Sequence, residues 1–359
     1  MSAARAERLG ELVAASALDA LIVEGAANLR YITGYTGSSG LALVRADGSG
    51  VFYTDFRYET QSAAEVDGDA FSREIVTGEL LAALARGLRG GRVGFDEATM
   101  TVRRRRGLGD TVADGVELVA TSGLVEQLRL VKDEAEIAAI GAAATLVDGI
   151  YEWLFAQGLR GRSEHEVAVS IEHEMRLRGA SGPSFDSIVA GGAHGALPHA
   201  QPRDEPIEAG TLVTIDIGAR LHGYCSDCTR TVAVGEPTAH AREVYAIVQA
   251  AQLAGLAAVA PGVTGRDADA AARTVVEQAG YGERFRHGLG HGVGLDIHEA
   301  PRLSREGGEE PLRAGTIVTV EPGIYLPGEL GVRIEDLVVV RDSGAGILSG
   351  FTKELLVLD

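Results

Sequence analysis

Five residues in the C-terminal half of this chain have the types and settings of metal ligands: Asp216, Asp227, His291, Glu321 and Glu335. The acids sit in apolar, strand-like stretches: VTIDIGA, GYCSDCTRT, TVEPGIY and GVRIEDL. A carboxylate flanked by Val and Ile is costly to bury unless a cation compensates it. Arg220, Arg230 and Arg333 are close enough in sequence to pair with individual acids, but they are few for the set. The chemistry that answers the charge is a two-metal hydrolytic centre.

The elements needed to assemble it are two hairpins and a glycine-rich segment. Side chains alternate along a strand, so Leu212, Thr214 and Asp216 share one face of Thr211–Gly218. Cys225, Asp227 and Thr229 share a face of Tyr224–Val232. A turn centred on Leu221–His222 sets Asp216 directly opposite Asp227. Downstream, Ile317–Glu321 and Val332–Val340 are joined through LPGEL, and Glu321 and Glu335 are equidistant from Gly328. Opposed like charges are destabilising; a metal between them removes the conflict. His291 lies among Gly288, Gly290, Gly292 and Gly294, which permit close backbone approach and leave one face bare except for imidazole. The glycines lack the strand–GxGxxG–helix context of a dinucleotide site.

Oxygen ligands with one imidazole favour Mn²⁺, Co²⁺, Fe²⁺ or Zn²⁺ over a thiolate zinc site. Two such ions, about 3.5–4 Å apart, hold a bridging water and lower its pKa. Cys225 and Cys228 form a CxxC without the following helix or second pair that redox or zinc roles need, and alternation sends them to opposite faces, so they read as core residues. His199, His298, Tyr325 and Arg333 are candidates for substrate handling. His194 and His222 read as loop or hairpin residues, and His287 has no assigned role.

The chain has 359 residues, enough for about two domains. Its net charge of −18 argues against nucleic acid or an anionic membrane as partner. Two cysteines, no signal-peptide pattern and no run of about 18 apolar residues point to a cytoplasmic protein. All nine histidines fall between His165 and His298, which separates an accessory N-terminal domain, residues 1–128, from a catalytic one, residues 129–359.

In the first domain, Arg5–Ala15 and Gly78–Leu88 read as helices, and Ala20–Glu24, Ala42–Val44, Gly50–Thr54 and Arg92–Phe95 as strands of a helix-covered mixed sheet. Arg103–Arg106 reads as a solvated helix face. A helical stretch from Leu124 to about Phe155 breaks near Lys132–Asp133. Ser163–Arg178 and Ala239–Val259 are further helices, the first opening with a capping box of Ser163 and Glu166.

The stretches SFDSIVAGGAHGALPHA, TIDIGARLHGYCSDCTRT, HGLGHGVGLDIHEAP and TVEPGIYLPGELGVRIED together resemble the proline-directed pita-bread metallopeptidases, aminopeptidase P and Xaa-Pro dipeptidase (prolidase). ANLRYITGYTGSSG and FYTDFRY resemble the creatinase-type N-terminal domain. The resemblance implies an α+β chain: a smaller α/β creatinase-like domain, then a pita-bread catalytic domain. It implies two divalent ions, most naturally Mn²⁺ with Co²⁺ or Zn²⁺ as alternatives, held by Asp216, Asp227, His291, Glu321 and Glu335. His199 and His298 then contact substrate or stabilise the transition state. Glu321 also shuttles the proton, and Tyr325 and Arg333 support the cluster. The implied reaction is hydrolysis of an N-terminal Xaa-Pro bond by a metal-bridging hydroxide, in small peptides with proline second, by a homodimer or homotetramer. TGYTGSSG and TDFRY favour aminopeptidase P; the alternative is a dipeptidase restricted to dipeptides, and a more remote one is a pita-bread binding module without turnover.

Overall fold

Short apolar runs separated by amphipathic helices build a six-stranded mixed sheet in the first third of the chain. Its strand order is Phe71–Val76, Gly50–Asp55, Leu41–Arg45, Ala20–Val23, Gly91–Asp96, Val116–Thr121. The structure, a computed structural model, describes residues 2–307 and 309–359. It divides into two compact units, Met1–Arg129 and Leu130–Asp359.

In the first unit the helices Ser2–Ala15 and Leu80–Gly87 lie where hydrophobic periodicity puts them. The helix Ala26–Thr33 and the strands Phe71–Val76 and Val116–Thr121 add to what the pattern announces. The arginine run lies on the helix Val102–Thr111, and it is not purely solvated. Arg104 pairs with the buried Glu24, and the Arg105 guanidinium stands 5.5 Å from the Phe95 ring centroid.

The second unit opens on the helix Glu134–Ala156, begun by a capping box of Asp133 and Glu136. The preceding helix stops at Arg129, so the expected break near Lys132–Asp133 is present. By length and composition this is the one described helix that passes for a membrane span. Its Val147, Ile150, Tyr151 and Leu154 are fully buried in the unit's own core, and Tyr151 Oη bonds the carbonyls of Ile215 and Cys228. Ser163 and Glu166 form the second capping box, at the start of Glu164–Leu177.

Two sheets carry the chemistry-bearing residues. One has the order Val357–Leu358, Cys228–Val234, Thr211–Ile217, Ile188–Gly191. The other has the order Glu299–Leu303, Gly290–Gly292, Ile317–Val320, Asp336–Arg341, Gly344–Ile347. The helix Gly265–Gln278, which the sequence reading passes over, braces the second sheet. Its buried Asp269–Arg273 pair (2.7 Å) accepts from the Leu289 amide and donates to the Phe285 and His287 carbonyls.

Both hairpins form, and one differs in register. Its turn is His222–Gly223, both with positive φ (48° and 80°), so Leu221 faces Tyr224 and Asp216 faces Thr229. Asp227 is therefore two residues from the position opposite Asp216, in a gap between the strands Tyr224–Cys225 and Cys228–Val234. A left-handed residue at His222 sets the two-residue turn one position later than the sequence suggests. The second hairpin has the expected register: Gly323 pairs with Arg333 and Val320 with Asp336, which brings Glu321 and Glu335 across from each other. Both acids sit in short interruptions of the strands.

The alternating glycines near His291 are set by packing. A Cβ on Gly290 would strike the backbone of Thr319, and one on Gly292 the backbone of Ala300. Gly292→Ala is expected to destabilise the protein by about 1–3 kcal/mol, as overpacking does. Denaturant titration checks this; an unchanged midpoint contradicts it.

Candidate metal centre

Asp216 is the penultimate residue of an apolar strand and is 8% exposed, so its charge needs a partner. Arg333 supplies one, with Nη2 donating to Asp216 Oδ2 at 2.6 Å. The same guanidinium donates from Nε to Thr229 Oγ1 (3.0 Å) and from Nη1 to Tyr325 Oη (2.9 Å) and the Pro198 carbonyl (3.3 Å). Thr229 then donates to Glu335 Oε2 at 2.7 Å. One buried arginine thus orients two of the acids, one directly and one through a hydroxyl. Arg230 and Arg220 do not serve the acid set: Arg230 pairs with Asp336, and Arg220 donates to the Leu295 carbonyl.

The imidazole is oriented as firmly. The His291 amide donates to Thr319 Oγ1, whose hydroxyl donates to Glu321 Oε1, both at 3.1 Å. His291 Nδ1 donates to the Gly292 carbonyl at 3.1 Å. That bond fixes the tautomer and leaves the Nε2 lone pair free. Nε2 lies 3.6 Å from Asp227 Oδ2 and 3.5 Å from Glu321 Oε1.

The acids repel one another. Burial, then the charges of Glu335, Asp216 and Glu321, hold the Asp227 carboxyl well above its ordinary range. Burial, then Glu321 and Asp216, do the same to Glu335. Burial pushes Glu321 up to about 7 against the pull of Arg333. A single guanidinium does not neutralise four clustered carboxylates.

A divalent metal fits what is left open. Ligand atoms of Asp227, His291 and Glu335 lie within 4.8 Å of one another. Asp216 Oδ1 is buried and has no hydrogen-bond partner among the described residues. Clustered anionic oxygens with a neutral imidazole nitrogen make a donor set for hard or borderline cations.

The remaining candidates gather around this centre in different ways. The His298 ring meets the His291 ring edge-on, centroids 4.4 Å apart. His199 is exposed on the segment after Gly192–Ala196, which Arg333 tethers at Pro198. Tyr325 is bound to Arg333 and also to His287, whose Nε2 accepts from Tyr325 Oη at 3.0 Å. Burial and the Arg333 charge lower His287 to about 4, so it is a neutral acceptor. Sequence spacing assigns no role to His287, Thr229 or Thr319; the signals it holds are that Thr229 shares a strand face with Asp227 and that His287 and His291 fall on the same face of an extended chain. The cysteines are buried in separate cores, as alternation predicts.

Comparison with known proteins agrees with this geometry. The family description metallopeptidase family M24 matches residues 138–342, and creatinase/prolidase N-terminal domain matches residues 5–131. The chain is similar to the solved Xaa-Pro dipeptidase from Bacillus anthracis, with TM-score 0.95 and 39% identity over 100% of both chains. It is similar to the solved X-Pro aminopeptidase from Thermotoga maritima, with TM-score 0.90 and 34% identity over 98% of this chain and 100% of that one. A curated Xaa-Pro dipeptidase from Pyrococcus furiosus is 43% identical over 233 residues, 65% of this chain and 67% of its own length. With a family match across more than half its length, the chain belongs to metallopeptidase family M24: a pita-bread metallopeptidase behind a creatinase/prolidase-type N-terminal domain.

Proposed function

We propose that this metallopeptidase is an Xaa-Pro dipeptidase, hydrolysing dipeptides with proline in second place. The observation that carries the reading is the end-to-end similarity to the Bacillus anthracis enzyme of that name, supported by the Pyrococcus furiosus relative. The aminopeptidase P preference drawn from TGYTGSSG and TDFRY yields to it. Aminopeptidase activity on longer peptides is retained as the second reading because of the similarity to the Thermotoga maritima enzyme.

In this proposal Asp216, Asp227, His291, Glu321 and Glu335 hold two divalent ions, Mn²⁺ by preference, with Co²⁺ or Zn²⁺ as substitutes. Bound metal supplies Lewis acidity toward the scissile carbonyl and toward water. Glu321 takes the proton from the attacking water and delivers it to the proline nitrogen. His199 and His298 donate to the oxygen on which charge develops. Arg333 and Tyr325 keep Asp216 and Glu335 in place through the bonds described above. A prolyl amide has no N–H, so the ring is read by shape.

A hydrolysis panel with manganese tests the substrate class. Ala-Pro and Gly-Pro are expected to be cleaved, and Ala-Pro-Ala only weakly; efficient cleavage of the tripeptide alone would return the assignment to aminopeptidase P. Glu321→Gln is expected to lower kcat by about 10²–10⁴-fold at saturating manganese, as loss of a positioned acid–base group does, and, because Glu321 is also a proposed ligand, to need more manganese for full loading by elemental analysis. Full activity in that variant contradicts the proton role.

Titration of the metal-free protein gives a third check. The carboxyls of Glu321, Asp227 and Glu335 are raised in the folded state. Folding therefore retains protons that the unfolded chain releases, and stability falls as pH rises from about 4.5 through 7. Manganese is expected to raise the unfolding temperature much more at pH 8 than at pH 5. An equal rise at both pH values contradicts the charge account.

A further inference from the structure

The first unit, Met1–Arg129, holds a second group of clustered acids. Its strands Ala20–Val23, Gly91–Asp96 and Val116–Thr121 run parallel, so their carboxyl ends share one edge of the sheet. Open α/β sheets keep their ligand crevices at that edge. A cleft of about 230 Å³, part of it open to solvent, lies there, lined by Glu24, Asn28, Asp96, Thr121, Val125 and Glu126 among others. Glu24 follows the first of these strands, Asp96 ends the second, and Glu126 comes from the helix Leu124–Arg129.

Two of these acids have an oxygen to spare. Glu24 is 7% exposed; its Oε1 accepts from Arg104, while Oε2 is buried and has no partner among the described residues. Glu126 repeats the pattern: Oε1 accepts from Asn28 Nδ2 at 2.7 Å, and Oε2 is buried without a partner among the described residues. Asp96 takes the Ala98 amide on Oδ1 (2.7 Å) and the Gly123 amide on Oδ2 (2.9 Å), so it adds charge only. Among the described residues, Arg104 is the one cation that bonds any of the three carboxylates. Burial still holds the Glu24 carboxyl above its ordinary range against the pull of Arg104. A buried acceptor without a donor is destabilising. A water would fill the lone pairs and leave the charge unanswered; a cation with N–H donors answers both.

Geometry selects the kind of cation. A divalent ion needs oxygens converging at about 2.0–2.6 Å from it. The cleft acids are not among the described groups whose ligand atoms gather within 4.8 Å of one another. An ammonium group reaches further, through three donors at about 2.8 Å each. Beside the acids, the Arg104 side chain is 42% exposed, with Nη2 on Glu24. A guanidinium with donors left over is suited to a carboxylate.

We propose that this cleft binds a small ligand through a primary ammonium group, held by Glu24 Oε2 and Glu126 Oε2. Two sources carry that group: a free α-amino acid, whose carboxylate would reach Arg104, or a simple amine.

The test uses the full-length, manganese-loaded protein as wild type and as Glu24→Gln. The probes are L-alanine, ethylamine and propionate; the last two are alanine without its carboxylate and alanine without its ammonium group. Binding is read by calorimetry and by the amide shifts of Gly25, Asn28 and Gly123, which border the cleft. Both ammonium probes are expected to move these amides, and propionate is not. Glu24→Gln is expected to weaken the binding by about tenfold or more, with peptidase kcat and KM unchanged. Alanine held about tenfold tighter than ethylamine identifies an amino acid as the ligand; ethylamine held as tightly identifies a simple amine. Either result supports the proposal. Amides that ignore both ammonium probes, amides that propionate moves equally, or binding that survives Glu24→Gln undiminished overturn it. Should Glu24→Gln fail to fold, the wild-type shifts decide: movement with the ammonium probes alone upholds the site, and any other pattern ends it.

Discussion

Four carboxylates and one guanidinium share the buried floor of this site, and that imbalance constrains everything around it. Arg333 is paired with Asp216 and hydrogen-bonded through Thr229 to Glu335, but its single charge leaves the set strongly anionic. In a low-dielectric setting like charges this close cannot all ionise, and the protein alone answers by retaining protons. A metallopeptidase has another answer, because divalent cations replace those protons. The site is therefore an incomplete electrostatic object, which the divalent ions of the proposed function would complete.

The supporting structure is consistent with that demand. Thr229 and Thr319 each accept from one group and donate to an acid, so both carboxylate orientations are fixed without adding charge. The Gly292 carbonyl fixes the His291 tautomer, and the glycines beside it let neighbouring backbones close in. Behind the site, Asp269 and Arg273 anchor the segment that leads into His291. Each device uses a polar group to orient a candidate ligand without adding charge to the cluster.

Much of this was legible in the sequence because it depends on local rules. Acids in apolar strands stand out, a Pro327-Gly328 turn fixes the register of Glu321 against Glu335, and a capping box marks the helix start at Ser163. The first hairpin was misjudged by two residues because its turn uses a left-handed His222, a conformation that histidine does not advertise. The helix Gly265–Gln278 was missed, and with it the Asp269–Arg273 brace, since its alanines carry a weak apolar signal. His287 gains its place only through Tyr325, a contact 38 residues away in sequence that no spacing rule anticipates. Arg104 likewise finds the buried Glu24 across 80 residues, so a run of four arginines is only partly a solvated face.

The direct test of the central claim is the number of divalent ions the folded chain holds. Equilibrium dialysis against manganese, with elemental analysis of the retained metal, gives that number at saturation. The charge imbalance predicts two ions per chain, with binding that weakens as pH falls below 7 and the carboxyls recover their protons. Full peptidase activity with fewer than one ion per chain, or binding indifferent to pH across that range, would contradict it.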